Sequence, residues 1–304
     1  MEFKHLRSFL AVAERLHFRR AAESINLSEP ALSVQIRALE EEIGVQLLFR
    51  DHRKTWLTPA GQVFLIEARE MVAQSERSLV RARRAACGQI GILRIGFVSS
   101  AAALLIPGLV MRFRKLYPEV ELELRNILTT EQFLQLGDRR LDVGLLRLPA
   151  GGQEHVETTV LHQEPFVLLV PASHPLSRKR SLRIEDLRDA DFVIYTRKHA
   201  LAFHDLMLHI LNDAGVNPHV VQEASEMHTL VSLVAAGLGV ALAPQSIQLL
   251  HRHPGVVARK LPATLPLSEI ALAVRKGDTS PTVQLFVKLA LAGRDKSAAA
   301  VLST

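Results

Sequence analysis

The spacing of apolar residues divides the chain into two regimes. Up to about residue 87 they recur every three or four positions, predicting helices with one short strand candidate. From about Leu93 onward, strand-like runs alternate with amphipathic stretches, predicting an α/β architecture. In the first regime, Leu6, Phe9, Leu10, Ala13 and Leu16 mark the buried face of a helix over residues 5–16, and a second helix covers 18–25. After the turn Asn26-Leu27-Ser28 a third covers 29–43. Ser28 is a suitable N-cap, Pro30 fits the first turn, and Gly44 ends the helix. Leu32, Ile36, Leu39 and Ile43 form its apolar stripe, while Glu29, Ser33 and Arg37 lie on the opposite, open face. Two short helices around a tight turn, the second with hydrogen-bonding residues outward, form the pattern that reads base edges in a major groove. An ordinary helical hairpin with a solvated face has the same spacing.

The next segment favours the first reading. Short extended runs, 47–50 and 56–58, flank Asp51-His52-Arg53-Lys54-Thr55. A basic turn between such runs is a wing, whose cations reach phosphates or the minor groove. Arg50, Arg53 and Lys54, with Arg19 on the second helix, are candidate DNA contacts. Thr58 and Pro59 then open a long helix to about residue 86. On it Leu65, Ala68, Val72, Ser75, Leu79, Ala82 and Ala86 alternate spacings of three and four. That heptad seam of small residues predicts pairing with a second copy rather than burial against its own domain. Residues 88–91 are the expected hinge.

The second regime predicts strands over 93–98, 120–126 and 141–148, with helices over 102–116 and from about 129. Further strands are expected at 166–170, 192–195, 220–223 and 240–243. Residues 270–275 return the chain to the first group, before a helix over 282–292 and a frayed tail from 296. Spacing of this kind implies a largely parallel sheet and two lobes, one of about 92–162 plus 267–295, the other of about 163–266. Ligands in such folds sit at the carboxyl ends of strands, near helix N-termini.

Composition adds bounds. With 304 residues, 48% of them hydrophobic and 22% charged, the chain suits two or three compact units. A net charge of +6 leans mildly towards a polyanionic partner. Cys87 is the only cysteine, so an intrachain disulfide is excluded and a reducing compartment is expected. The first residues lack an unbroken apolar run, and no stretch has the length of a membrane span, so a cytoplasmic protein is expected.

Enzyme signatures are missing. Gly237-Leu-Gly239 precedes its strand and lacks a third glycine, and no nucleophile elbow occurs. The histidines, including His199, His204, His209, His251 and His253, lack a cysteine or carboxylate partner completing a metal set. Neither metal nor cofactor is expected, and Cys87 has no resolving partner for a thiol switch.

The stretch from Phe18 to Gly44, FRRAAESINLSEPALSVQIRALEEEIG, closely resembles the helix-turn-helix signature of LysR-type transcription regulators. Val45 to Arg50, Leu57 to Gly61, Leu141 to Gly144, Pro171 to Leu176 and Val234 to Val240 extend the resemblance over nearly the whole chain. It implies a winged helix-turn-helix over 1–58, a dimerising linker helix over 59–87, and a two-lobed effector domain over 92–304 like the periplasmic binding proteins. It also implies a homodimer or homotetramer on promoter DNA, often in contact with RNA polymerase. Ser28, Glu29, Pro30, Ser33 and Arg37 are then the recognition-helix contacts, supported by Arg50 and Arg53. The family commonly has Gln where this chain has Glu29, and often Arg where it has Val34. Glu29 either accepts from a cytosine amino group or caps the helix N-terminus.

Ile95 to Ser100, Leu128 to Thr130 and Gly144 to Leu148 resemble sensors of aromatic-compound degradation. That implies a small aromatic or unsaturated carboxylate effector held by Ser99, Ser100, Thr129, Arg147 and Phe203. Arg147 has a structural ion pair as its alternative role, and Ser99 and Ser100 have simple N-capping. A solute-binding protein shares the lobes, but has no use for residues 1–87.

Overall fold

The computed structural model describes residues 1–51, 54–150, 153–198 and 201–301. Two compact units result, Met1–Arg84 and Ala85–Thr304.

In the first unit, α1 (Phe3–Arg15), α2 (Phe18–Ser24) and α3 (Glu29–Ile43) are followed by β1 (Leu48–Arg50), β2 (Thr55–Leu57) and α4 (Pro59–Ala86). The α3 bounds are those its caps dictate. Ser28 Oγ accepts the Ala31 N–H, and Gly44 takes the left-handed conformation at φ 80°. Asn26 supplies the left-handed residue in the turn before α3. Phe9, Leu32, Ile36, Leu39 and Leu47 are sealed in one core, each contributing about 1.5–3 kcal/mol by burial. β1 and β2 pair antiparallel, Phe49 opposite Trp56, as a wing. The expected free seam of α4 needs correction. Ala68 is fully buried in this unit's own core, with Leu65 and Val72 packed against it. Leu79 and Ala82 are exposed, so only the later turns present an open seam.

The second unit opens with β3 (Ile90–Phe97), which absorbs Gly91 and leaves a shorter hinge than expected. Then come α5 (Ser99–Leu104), α6 (Ile106–Leu116), β4 (Glu119–Asn126), α7 (Thr129–Gly137), β5 (Val143–Leu148) and β6 (Val156–Glu164). The single helix expected over 102–116 is two, broken at Leu105, the cap of α6, whose first turn holds Pro107. The chain continues through β7 (Phe166–Pro171), β8 (Asp191–Tyr195), α8 (Leu201–Asp213), β9 (His219–Ala224), α9 (Met227–Ala235), β10 (Ala241–Pro244), α10 (Ile247–Leu250) and β11 (Val256–Lys260). β12 (Ser268–Arg275) and α11 (Pro281–Val301) finish it.

The first lobe holds a five-stranded sheet, order β4-β3-β5-β12-β6. β3 runs parallel to β4 and β5, but β12 runs antiparallel to both β5 and β6. The second lobe has an antiparallel sheet, β10-β7-β11, and a parallel pair, β8-β9. The expectation of a largely parallel sheet is therefore corrected: every strand entering or leaving the crossover runs against its neighbours. β6 and β12 are the two crossing strands, so whatever joins them also joins the lobes.

Candidate DNA interface and ligand cavity

On the first unit, Glu29, Pro30 and Arg37 are exposed along α3, and Ser33 is half-buried beside them. Arg37 and Lys54 make no ion pair among the described residues, so their charges face solvent. Arg19 is also exposed, bridged to Glu23 at 3.2 Å one helical turn away. Arg53 lies outside the described residues. Arg50 is not free: its guanidinium donates to Ser33 Oγ at 3.0 Å and to Glu40 at 3.3 Å, and lies 4.7 Å from the Phe18 ring centre. It thus clamps the wing root to both helices while its side chain stays 33% exposed.

Glu40 organises this junction, a role that nothing in its sequence position announces. Its Oε1 accepts the N–H groups of Leu47 (2.9 Å) and Leu48 (3.1 Å), while Oε2 holds Arg50. Substituting Glu40→Ala strands two part-buried donors and releases Arg50. The first unit should lose about 1–3 kcal/mol in urea unfolding, and Glu40→Gln, which keeps one acceptor, should lose less. An unchanged midpoint for Glu40→Ala would count against the clamp.

The second unit holds a cavity of about 440 Å³ between its lobes. The first lobe contributes Ser99 and Ser100 after β3, Asn126 at the end of β4, Thr129 at the start of α7, and Arg147 and Pro149 from the end of β5. The second contributes Tyr195 from the end of β8, Phe203 on α8, and Glu226 with Met227 at the start of α9. All five residues singled out from sequence in this unit line one space. Three strand ends meet there because parallel β3, β4 and β5 each deliver their carboxyl end to the same edge.

Ser99 and Ser100 do not cap. Val98 is the N-cap of α5, and no side chain closes that end. Ser99 Oγ accepts from Asn126 at 3.4 Å, and Ser100 is 7% exposed. Thr129 opens α7, whose cap Leu128 also lacks a side-chain bond, so first-turn N–H groups remain for a ligand.

Arg147 carries the structural ion pair that was its alternative role, and lines the cavity as well. Its guanidinium donates to Glu164 at 3.1 Å and to Ser268 Oγ. Glu164 also accepts the Ser246 N–H at 2.5 Å and hydroxyl at 2.9 Å. The guanidinium lies 5.7 Å from the Phe203 ring centre. Burial is the first influence on Arg147, lowering its proton affinity, and Glu164 opposes it. Tyr195, edge-on to Phe203 at 6.3 Å, has its phenol pushed up to about 12, first by burial and then by the Glu226 charge, against Arg147.

The other candidate chemistry is dispersed. His204 is buried against Asp205 at 3.0 Å, His209 bridges Asp213 at 3.2 Å, and His199 lies outside the described residues. Among the described residues no group of three or more His, Cys, Asp or Glu is placed to hold a metal, and no helix is long and apolar enough to cross a membrane. Cys87 is exposed.

Both units match known proteins. Residues 3–62 match the model of the bacterial regulatory helix-turn-helix protein, lysR family, and residues 88–294 match the LysR substrate binding domain. The chain is 38% identical over 290 residues to the HTH-type transcriptional regulator AlsR of Bacillus subtilis, covering 95% of each. It is 35% identical over 289 residues to the Hca operon transcriptional activator HcaR of Escherichia coli, covering 95% of this chain and 97% of that one. Full-length CbnR, crystallised with its target DNA, superposes with a TM-score of 0.81 at 27% identity, over 97% of this chain and all of that one.

Proposed function

The chain belongs to the LysR family of DNA-binding, effector-responsive transcription regulators, and we propose that it controls a catabolic operon in response to a small aromatic or unsaturated carboxylate. The observation that carries this reading is the single cavity shared by Ser99, Ser100, Thr129, Arg147 and Phe203. Hydroxyls and the first-turn N–H groups of α7 would hold the carboxylate. Phe203, Leu201, Ile127 and Met227 would wall its apolar body. Because Arg147 is already paired, its part is to orient and partly compensate rather than to supply a free cation.

At the DNA, Ser28, Glu29, Pro30, Ser33 and Arg37 would face the major groove, and Arg19, Arg50, Arg53 and Lys54 would meet the backbone or minor groove. Val34, 64% exposed between Ser33 and Arg37, suits a thymine methyl. The open later seam of α4 supports assembly as a homodimer or homotetramer; such a regulator would act in the cytoplasm, with RNA polymerase as a further partner. An effector between the lobes would favour one lobe arrangement and so shift the population of DNA-bound states.

The first test is a mobility shift on the DNA upstream of the protein's own gene, at defined salt with excess competitor. A specific, salt-sensitive shift is expected. Ser33→Ala with Arg37→Ala should weaken it by roughly 1–3 kcal/mol per lost base contact, leaving non-specific binding nearly intact. Failure on genome-selected DNA as well as on that region would refute the regulatory reading. With a working shift, footprint and transcription unchanged by every carboxylate tested would refute the effector class.

A further inference from the structure

The cavity carries two charged poles of unequal standing. Arg147 is neutralised where it stands by Glu164, itself 5% exposed and satisfied by Ser246. Glu226, on the opposite lobe at the N-cap of α9, lines the same cavity. Its carboxylate makes no ion pair or hydrogen bond among the described residues, and it does not cap its own helix. Among the described residues, the lining and its buried partner together bear one net negative charge, on the second-lobe side, while the serine and threonine hydroxyls and the uncapped first turns of α5 and α7 lie on the first-lobe side. A ligand anion therefore finds its more favourable seat on the first-lobe side, away from the Glu226 charge, and its far end meets an acceptor-only group.

We infer that the effector is a monocarboxylate carrying a hydrogen-bond donor, a hydroxyl or an amine, at its far end, and that Glu226 reads that donor. This rests on the carboxylate-effector reading above and narrows it. A dianion with carboxylates at both ends places its second charge against Glu226 in a mostly apolar enclosure, where repulsion is poorly screened. A donor-bearing acid converts the same residue into a charge-assisted hydrogen bond. Tyr195 lines the same cavity as Arg147 and Glu226, and its phenol, raised first by burial, is raised further by Glu226 and lowered by Arg147. The cavity volume suits a single ring with a short side chain.

The experiment is calorimetric titration of the full-length protein with matched probes. These are benzoate and phenylacetate; their 4-hydroxy forms; 4-(aminomethyl)benzoate; and the dianions terephthalate and cis,cis-muconate. At least one donor-bearing acid should bind roughly tenfold or more tighter than its parent, and the dianions weaker than either. Glu226→Gln keeps an acceptor without the charge, so an amine preference should collapse while a hydroxyl preference largely survives. Glu226→Met should erase both and relieve the exclusion of dianions. Unchanged DNA binding and thermal unfolding in each variant would establish that the fold is intact. Dianions binding as tightly as donor-bearing acids, or a donor preference that persists in Glu226→Met, would overturn the inference and leave a carboxylate effector standing. No binding of any acid to wild-type protein that still shifts its DNA would overturn the effector reading and this inference together.

Discussion

Replacing Arg147 with methionine is expected to lower the stability of the second unit by about 3–5 kcal/mol. Both partners of its ion pair are nearly sealed, Arg147 at 6% and Glu164 at 5% exposure. Methionine fills much of the same volume, so the loss reports charge rather than a cavity. What it leaves behind is a buried carboxylate holding only the two Ser246 donors. The position of the network raises its importance. Glu164 ends β6, where the chain leaves the first lobe; Ser246 follows β10 in the second; Ser268 begins β12, where the chain returns. One cluster therefore ties both crossing strands to the end of β5.

Denaturant titration offers a built-in control. The one tryptophan, Trp56, belongs to the wing. Its fluorescence follows the first unit, while far-ultraviolet dichroism follows both. Arg147→Met should move the dichroism transition and leave the fluorescence transition in place. Adding Glu164→Gln should recover a large part of the loss, because the stranded charge is gone. A single variant as stable as wild type, or a double variant worse than the sum of the singles, would mean that the pair does not hold the crossover.

The first unit is legible in sequence because its determinants are local. The caps Ser28 and Gly44, the apolar spacing of Leu32, Ile36 and Leu39, and the basic turn between two short strands all act within a few residues of the feature they specify. The second unit is legible only in part. Periodicity does not reveal β6, because its pattern mixes buried Val156 and Leu161 with His162, Gln163 and the buried Glu164, which spoils a clean alternation. β11 escapes for a similar reason, being half-buried throughout most of its length. Strand direction is not encoded in periodicity, so the antiparallel course of β12 cannot be read from its residues.

The cavity divides the same way. Ser100, Thr129 and Phe203 are found through motif resemblance at strand ends. Glu164, Ser246 and Ser268 are not, because their bonds join residues 17 to 121 positions apart. Glu226 has no local signature beyond preceding an apolar helix. The α4 seam fails differently: heptad spacing says which residues share a face, not whether its first turns cover their own domain or a second chain.

Gly61→Ala is the second substitution with a large expected effect, and it falls on the other unit. Thr58 starts α4 by donating its N–H to the Leu47 carbonyl at 3.0 Å, while its hydroxyl donates to the Gln46 carbonyl and accepts the Gly61 N–H, both at 2.8 Å. These bonds lay the first turn of α4 directly on the backbone before β1. A Cβ on Gly61 would stand 2.0 Å from the Leu47 oxygen and 2.9 Å from its carbon. Backbone cannot rotate aside as a side chain does, so helix and wing must separate, and the Leu47 and Thr58 contacts go with them. The cost should reach about 3 kcal/mol or more, the upper range for overpacking, despite the better helix propensity of alanine. The Trp56 fluorescence transition should shift to lower denaturant and specific DNA binding should weaken, while effector binding by the second unit persists. Gly108→Ala is the control: a Cβ on that α6 glycine would meet nothing within 4 Å, so alanine there should be neutral or stabilise by up to about 1 kcal/mol. Equal behaviour of the two variants would show that the close approach of α4 to Leu47 does not constrain the wing.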